Sequence, residues 1–153
     1  MLPIRQKYAM APKTSTQKLP AKLRLAALVL ALLWAALIFV LSGISGQNYP
    51  AHPGFLNYVA HGGEYLILAA LIHTALYNGK ADTWKLAMIT IIIVAVYAAS
   101  DELHQLFVPY RSSDVVDWLC DLGGGVLGTF VSMLFLRFWL FSCQRHNRRK
   151  DNN

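Results

Sequence analysis

The chain has 153 residues, is 56% hydrophobic and only 14% charged, and carries a formal net charge of +6. Soluble domains carry about 25% charged residues, so the composition argues against an ordinary soluble domain and for one membrane domain. Lys and Arg flank the apolar runs, so the basic charge reads as a membrane-orientation signal: the expected partner is the lipid bilayer, with no nucleic acid.

Residues 1–22 hold Arg5, Lys7, Lys13, Lys18 and Lys22 among Pro, Ser and Thr, with no acid. This composition predicts a disordered basic tail. Leu23 to Leu41 is apolar apart from Arg24, just long enough for a hydrocarbon core of about 30 Å. A cleaved signal peptide is the rival reading; the run is longer than a signal core and no clear A-x-A site follows, so a retained first span is expected. Ser42 to Asn57 reads as a loop through Gly43, Gly46, Pro50 and Pro53, and holds no Lys or Arg. A second span is predicted from about Tyr58 to Tyr77 and a turn over Asn78 to Thr83. A third span runs from about Trp84 to Leu103, and Pro109 and Tyr110 mark the next turn. The fourth span runs from Asp114 or Val115 to about Leu140, long enough to tilt. A basic tail follows, expected to be disordered from Gln144. Cys120 and Cys143 lie too far apart along the fourth span to bridge and have no metal-ligand spacing.

The expected fold is therefore all-α: a basic tail (1–22), a four-helix transmembrane bundle (23–141), and a second basic tail (142–153). Spans in a bilayer must satisfy their own backbone hydrogen bonds, and nothing alternates as a barrel strand does. Positive charge concentrates in the two tails and the Lys80/Lys85 turn, whereas the other two loops hold only Arg111. That bias predicts both termini in the cytoplasm.

This topology sorts the polar residues. Of eight acids, six are Glu64, Asp101, Glu102, Asp114, Asp117 and Asp121. With His61 and Tyr65 at the start of the second span, Ser100, His104 and Gln105 near the end of the third, and Arg111 in the loop, all are expected at the extracytoplasmic end. At 3.6 residues per turn, His61, Glu64 and Tyr65 share a face, as do Asp101, His104 and Gln105, with Glu102 a quarter-turn away. Asp114, Asp117, Asp121, Gly124 and Gly128 form one stripe, whose glycines allow close helix approach within the chain or in a homodimer. Polar groups in a span are a functional-site hypothesis by default.

Several chemistries fit this set. His61-x-x-Glu64 and Asp101-x-x-His104 are i, i+3 pairs of nitrogen and oxygen donors, a spacing with which helical bundles hold a divalent metal. Clustered carboxylates beside a histidine also suit acid–base work, and Arg111 suits an anionic group on a substrate. An ion or proton pathway is a further option. The structural alternatives are an Arg111 lock between helices, Glu102 and Asp114 solvated at the helix ends with Asp114 an ordinary N-cap, His61 as a satisfied helix-end histidine, Tyr65 as core, and His73 as a packing or interhelical hydrogen-bonding residue.

The blocks His61-x-x-Glu64-Tyr65-x-x-Leu68, Ser100-Asp101-Glu102-x-His104-Gln105-x-Phe107-x-Pro109-x-Arg111 and Asp117-x-x-x-Asp121-x-x-Gly124-x-x-x-Gly128 resemble the VanZ-like family of bacterial membrane proteins over about residues 57 to 128. The middle block is the specific one. Two departures stand out: Asn57-Tyr58 where the family commonly has Asp-Lys, and Asp121 where it usually has Asn. The resemblance implies a multi-pass protein of the bacterial plasma membrane, in the cell envelope. The family takes its name from a protein giving low-level resistance to the glycopeptide teicoplanin. The leading expectation is a site that binds or modifies a cell-wall or lipid-linked precursor. Asp101, Glu102, His104 and Asp117 are its expected core; Arg111, Gln105 and Tyr65 meet the substrate; His61, Glu64, Ser100, Asp114 and Asp121 support. The candidate metal ligands are His61, Glu64, Asp101 and His104. A non-enzymatic scaffold whose polar cluster ties helices together is the alternative, and an ion or proton pathway the third.

Overall fold

The computed structural model describes residues 18–45, 54–79, 83–111 and 113–151. The expected disorder of the first 17 residues falls outside them, as does the centre of the turn after Gly79. The described residues form four α-helices and no strand: α1 (Ala21–Ser42), α2 (Gly54–Leu76), α3 (Thr83–Gln105) and α4 (Val115–Asp151). All four are long and apolar enough to cross a membrane. The outward faces carry Leu32, Leu33, Val40, Ile92, Val96, Phe135 and Phe138, all exposed. So much exposed apolar surface is stable only against lipid. This is a multi-pass membrane protein.

The predicted spans are found, with longer helices. Each helix is extended past its apolar run by residues that still satisfy backbone groups. The largest difference is at the C-terminus, where a disordered tail was expected from Gln144 and α4 instead continues to Asp151. Its 37 residues span about 55 Å, well beyond a hydrocarbon core. Arg145 lies over the Phe141 ring, 4.5 Å from its centroid, one turn on, and basic residues suit a helix C-terminus. Both cysteines are free.

The most extensive pairing is between α2 and α4. It depends on two glycines. A Cβ on Gly124 would collide with the backbone of Gly62, and one on Gly128 with the carbonyl of Leu66. The glycine stripe is thus used within the chain. Asn57 meets Asp117, His61 meets Asp121 and His73 meets Ser132, so residue numbers rise together and the two helices run parallel. Below the first of these pairs, Ile38, Tyr65, Leu68, Ala69, Val94 and Ala98 form the buried core.

The outer helices are pinned by single polar contacts. Arg24 Nε donates to the Ala75 carbonyl at 3.1 Å, at the C-terminal end of α2 where carbonyls lack helical partners. Trp34 Nε1 donates to the Glu64 carbonyl at 2.9 Å and Tyr97 Oη to the Ala35 carbonyl at 2.6 Å. Ser45 Oγ reaches the Pro109 carbonyl at 3.2 Å, which joins the end of α1 to the α3–α4 turn. Tyr110 takes a positive φ of 61° in that turn.

The glycine contacts give a direct expectation. Gly124→Ala and Gly128→Ala force α2 and α4 apart and should destabilise the bundle by about 2–3 kcal/mol or more. Gly63→Ala and Gly123→Ala, where an added Cβ meets nothing within 4 Å, should change stability by less than about 1 kcal/mol. Reversible unfolding in mixed micelles checks the contrast.

Candidate functional site

The end at which α1 and α3 finish and α2 and α4 begin gathers the polar groups. From α4, Asp121 is fully buried and Asp117 is 8% exposed; from α2, His61 is 8% exposed; from α3, Asp101, Glu102 and Gln105 are all buried. The low dielectric around them makes each unmet hydrogen bond costly, so their partners define the site.

Two contacts tie α2 to α4. His61 Nδ1 lies 3.1 Å from Asp121 Oδ1, and Asn57 Nδ2 donates to Asp117 Oδ1 at 3.4 Å. Positions 57 and 61 are one turn apart, as are 117 and 121, so two i, i+4 pairs meet face to face. A second group ties α3 to the following loop. Arg111 donates to Gln105 Oε1 at 3.0 Å, and Gln105 Nε2 donates to Asp101 Oδ2 at 3.1 Å. Glu102 Oε2 accepts from the Ser113 hydroxyl at 2.9 Å and the Asp114 backbone N–H at 3.0 Å. Asp114 itself is exposed and caps α4 by accepting from the Val116 N–H at 2.9 Å, the N-cap role of a short acid.

Among the described residues, three carboxylate oxygens stay unmet. Asp101 Oδ1, Glu102 Oε1 and Asp121 Oδ2 are buried without a hydrogen-bond partner, as is the Tyr65 hydroxyl. His61, Glu102 and Asp121 each offer a donor atom within 4.8 Å of the others. A cleft of about 460 Å³ opens between the end of α3 and the start of α4, lined by Ala99, Glu102, Leu103, Leu106, Ser113, Asp114, Val115 and Trp118.

The grouping differs from the one expected within α3. His104 was placed with Asp101 and Gln105, and Glu102 a quarter-turn away. In the structure the His104 ring stacks on Phe39 of α1, with centroids 4.3 Å apart, while Glu102 is turned inward. The reason is where the buried arc of α3 is centred. Val94, Ala98 and Gln105 are at its middle. At about 100° per residue, Asp101 and Glu102 flank that line on opposite sides, and His104 falls well outside it. The expected ligand set of His61, Glu64, Asp101 and His104 is therefore divided: His61 is in the close group, Asp101 is bonded to Gln105, Glu64 is half-buried on α2, and His104 faces α1. Ser100 is exposed and donates to the Tyr97 carbonyl of its own helix at 2.6 Å. Tyr65 is buried in the apolar core, its ring 6.1 Å from that of Tyr97.

Sequence reasoning did not place Asn57, Ser113 or Phe39 in the site, and Asn57 stood out only as a departure from the family pattern. The one-turn spacing of Asn57 to His61 was a usable signal. Nothing in the sequence marks Ser113 or Phe39, since both act by proximity to α3.

A family model described as VanZ/LLP1 matches residues 27–137, a range that holds every helix-borne group of this site. No curated protein and no solved structure matches the chain.

A double-mutant cycle isolates the α2–α4 contact. His61→Ala with Asp121→Ala should show a coupling energy of roughly 1–2 kcal/mol. His104→Ala with Asp121→Ala should be additive, because His104 packs on α1. Unfolding free energies in mixed micelles read both cycles.

Proposed function

The chain belongs to the VanZ/LLP1 family, and from that premise we propose that it is an envelope protein of the bacterial plasma membrane that binds the polar head of a cell-wall or lipid-linked precursor at the outer face. The observation that supports this reading is the set of buried, unmet carboxylate oxygens of Asp101, Glu102 and Asp121 beside a cleft at one end of the bundle. Polar groups this costly to bury are kept where they meet a ligand. Glu102 both lines the cleft and reaches the buried group, so it links a docked headgroup to Asp121 and His61. Arg111, which donates to Gln105 at the same end of the bundle, is the cation this reading assigns to an anionic group of the ligand. The outer-face assignment rests on the charge bias of the loops. A role in tolerance of teicoplanin-type glycopeptides follows from the same reading.

The bonds His61–Asp121 and Asn57–Asp117 favour a second reading, in which the polar set ties helices together and the protein acts through a partner. The two differ in what substitution does. On the binding reading, Glu102→Gln and Asp121→Asn leave the amount of inserted protein near wild type and abolish the effect of the chain on glycopeptide tolerance in cells that otherwise lack it. On the scaffold reading, inserted protein and tolerance fall together. Full tolerance with normal insertion in both variants would sink the binding reading.

Topology is checked separately. In a chain with Cys120→Ser and Cys143→Ser, cysteines introduced by Ser45→Cys and Ser113→Cys should react in intact cells with a membrane-impermeant thiol reagent. Labelling only after lysis would place the site on the cytoplasmic face and remove the proposal.

A further inference from the structure

We propose that His61, Glu102 and Asp121 form a binding site for one divalent first-row transition-metal ion where α2, α3 and α4 meet. Each helix contributes one ligand, and all three residues are buried. Their donor atoms lie within 4.8 Å of one another. Donors on one ion are at most two bond lengths apart, about 4.4 Å, so ligation draws the trio slightly inward.

The observation that marks this as more than an acidic cluster is the unmet valence at its centre. Asp121 is 0% exposed and Glu102 6%, yet among the described residues Asp121 Oδ2 and Glu102 Oε1 have no hydrogen-bond partner. The opposite oxygen of each carboxylate is already engaged: Asp121 Oδ1 with His61 and Glu102 Oε2 with Ser113 and the Asp114 N–H. The bonds from Ser113 and the Asp114 N–H hold Glu102 in place, as the hydrogen-bonded outer shell of a metal site does, and each carboxylate keeps one oxygen for a cation. The ion would take the place of the proton shared by His61 and Asp121.

Charge points the same way. A dication with two carboxylates and a neutral imidazole is a neutral assembly, which suits a poorly hydrated site far better than two bare carboxylates. The imidazole favours Zn²⁺ or a neighbouring transition metal over Mg²⁺ and Ca²⁺, which prefer oxygen alone. Three protein ligands leave at least one position open. Glu102 lines the cleft, so that position is reached from the cleft side. The site shares only His61 and its metal-binding character with what helical spacing suggested, and it stands whatever headgroup the cleft receives.

The test uses the full chain purified in detergent, stripped with a chelator and loaded with Zn²⁺ or Mn²⁺, with Mg²⁺ for comparison. Metal retained after desalting is counted by mass spectrometry. We expect about one Zn²⁺ or Mn²⁺ per wild-type chain, no retention of Mg²⁺, and affinity lowered by more than about tenfold in Glu102→Gln and in Asp121→Asn. His104→Ala should retain the metal. The proposal is overturned if the wild type retains neither ion, if both carboxamide variants retain it fully, or if His104→Ala loses it. Should the variants fail to fold, X-ray absorption on the Zn²⁺-loaded wild type decides: a shell of one imidazole nitrogen with oxygens supports the site, and a sulfur donor or a shell without imidazole overturns it.

Discussion

The close approach of α2 and α4 governs the rest of this molecule. In lipid no hydrophobic force drives helices together, so contact depends on how tightly backbones can pack. Gly124 and Gly128 admit the backbones of Gly62 and Leu66 where any side chain would collide. Once those points are fixed, the register of two parallel helices is fixed, and with it the meeting of His61 with Asp121 and of Asn57 with Asp117. A carboxylate as deep as Asp121 is tolerated because its imidazole partner is delivered by the same contact.

The electrostatics at this end follow from helix direction. α2 and α4 present their N-termini there, which favour negative charge, and Asp117 lies in the first turn of α4. α3 presents its C-terminus, which disfavours it, yet carries Asp101 and Glu102. That conflict is answered from outside the helix. Glu102 is held by an N–H at the start of α4 and by Ser113; Asp101 is held through Gln105, on which Arg111 converges. The loop between α3 and α4 is thus part of the site and cannot be exchanged for a generic turn.

The four spans were legible in the sequence because apolar length alone decides them, and the site end was legible because the polar residues cluster at matching helix ends. The faces of α2 and α4 were largely readable: His61, Asp117, Asp121, Gly124 and Gly128 point inward as their spacing required, whereas Asp114, placed on the same stripe, is exposed and caps α4. The face of α3 was not. Its period names which residues share a side, but the centre of the buried arc is set by the neighbours of Val94 and Ala98, and that is a tertiary fact. Glu102 and His104 were both expected in the core of the site, but spacing put His104 on the face of Asp101 and Gln105 and Glu102 a quarter-turn off it. In the structure Glu102 is buried and His104 stacks on Phe39 of α1. The tail from Gln144 was misread for another reason: polarity argues that a segment has left the membrane, and a helix already formed can continue into water.

A second polar level lies deeper in the bundle. His73 Nδ1 and Thr74 Oγ1 both lie 3.0 Å from Ser132 Oγ. His61 and His73 are twelve residues apart on one helix, so about 18 Å separates the two levels. Between them the buried surface is Tyr65, Leu68 and Ala69 against Val94 and Ala98. Thr90 and Thr129 are buried, but each donates back to a carbonyl of its own helix and offers no bridge. Among the described residues, the buried side chains of that layer are apolar but for the Tyr65 hydroxyl and these back-bonded threonines. The lower level serves as an interhelical tie of the kind expected for a lone histidine in a span. The two polar levels are thus separate ties between α2 and α4, one at the helix ends and one in mid-span.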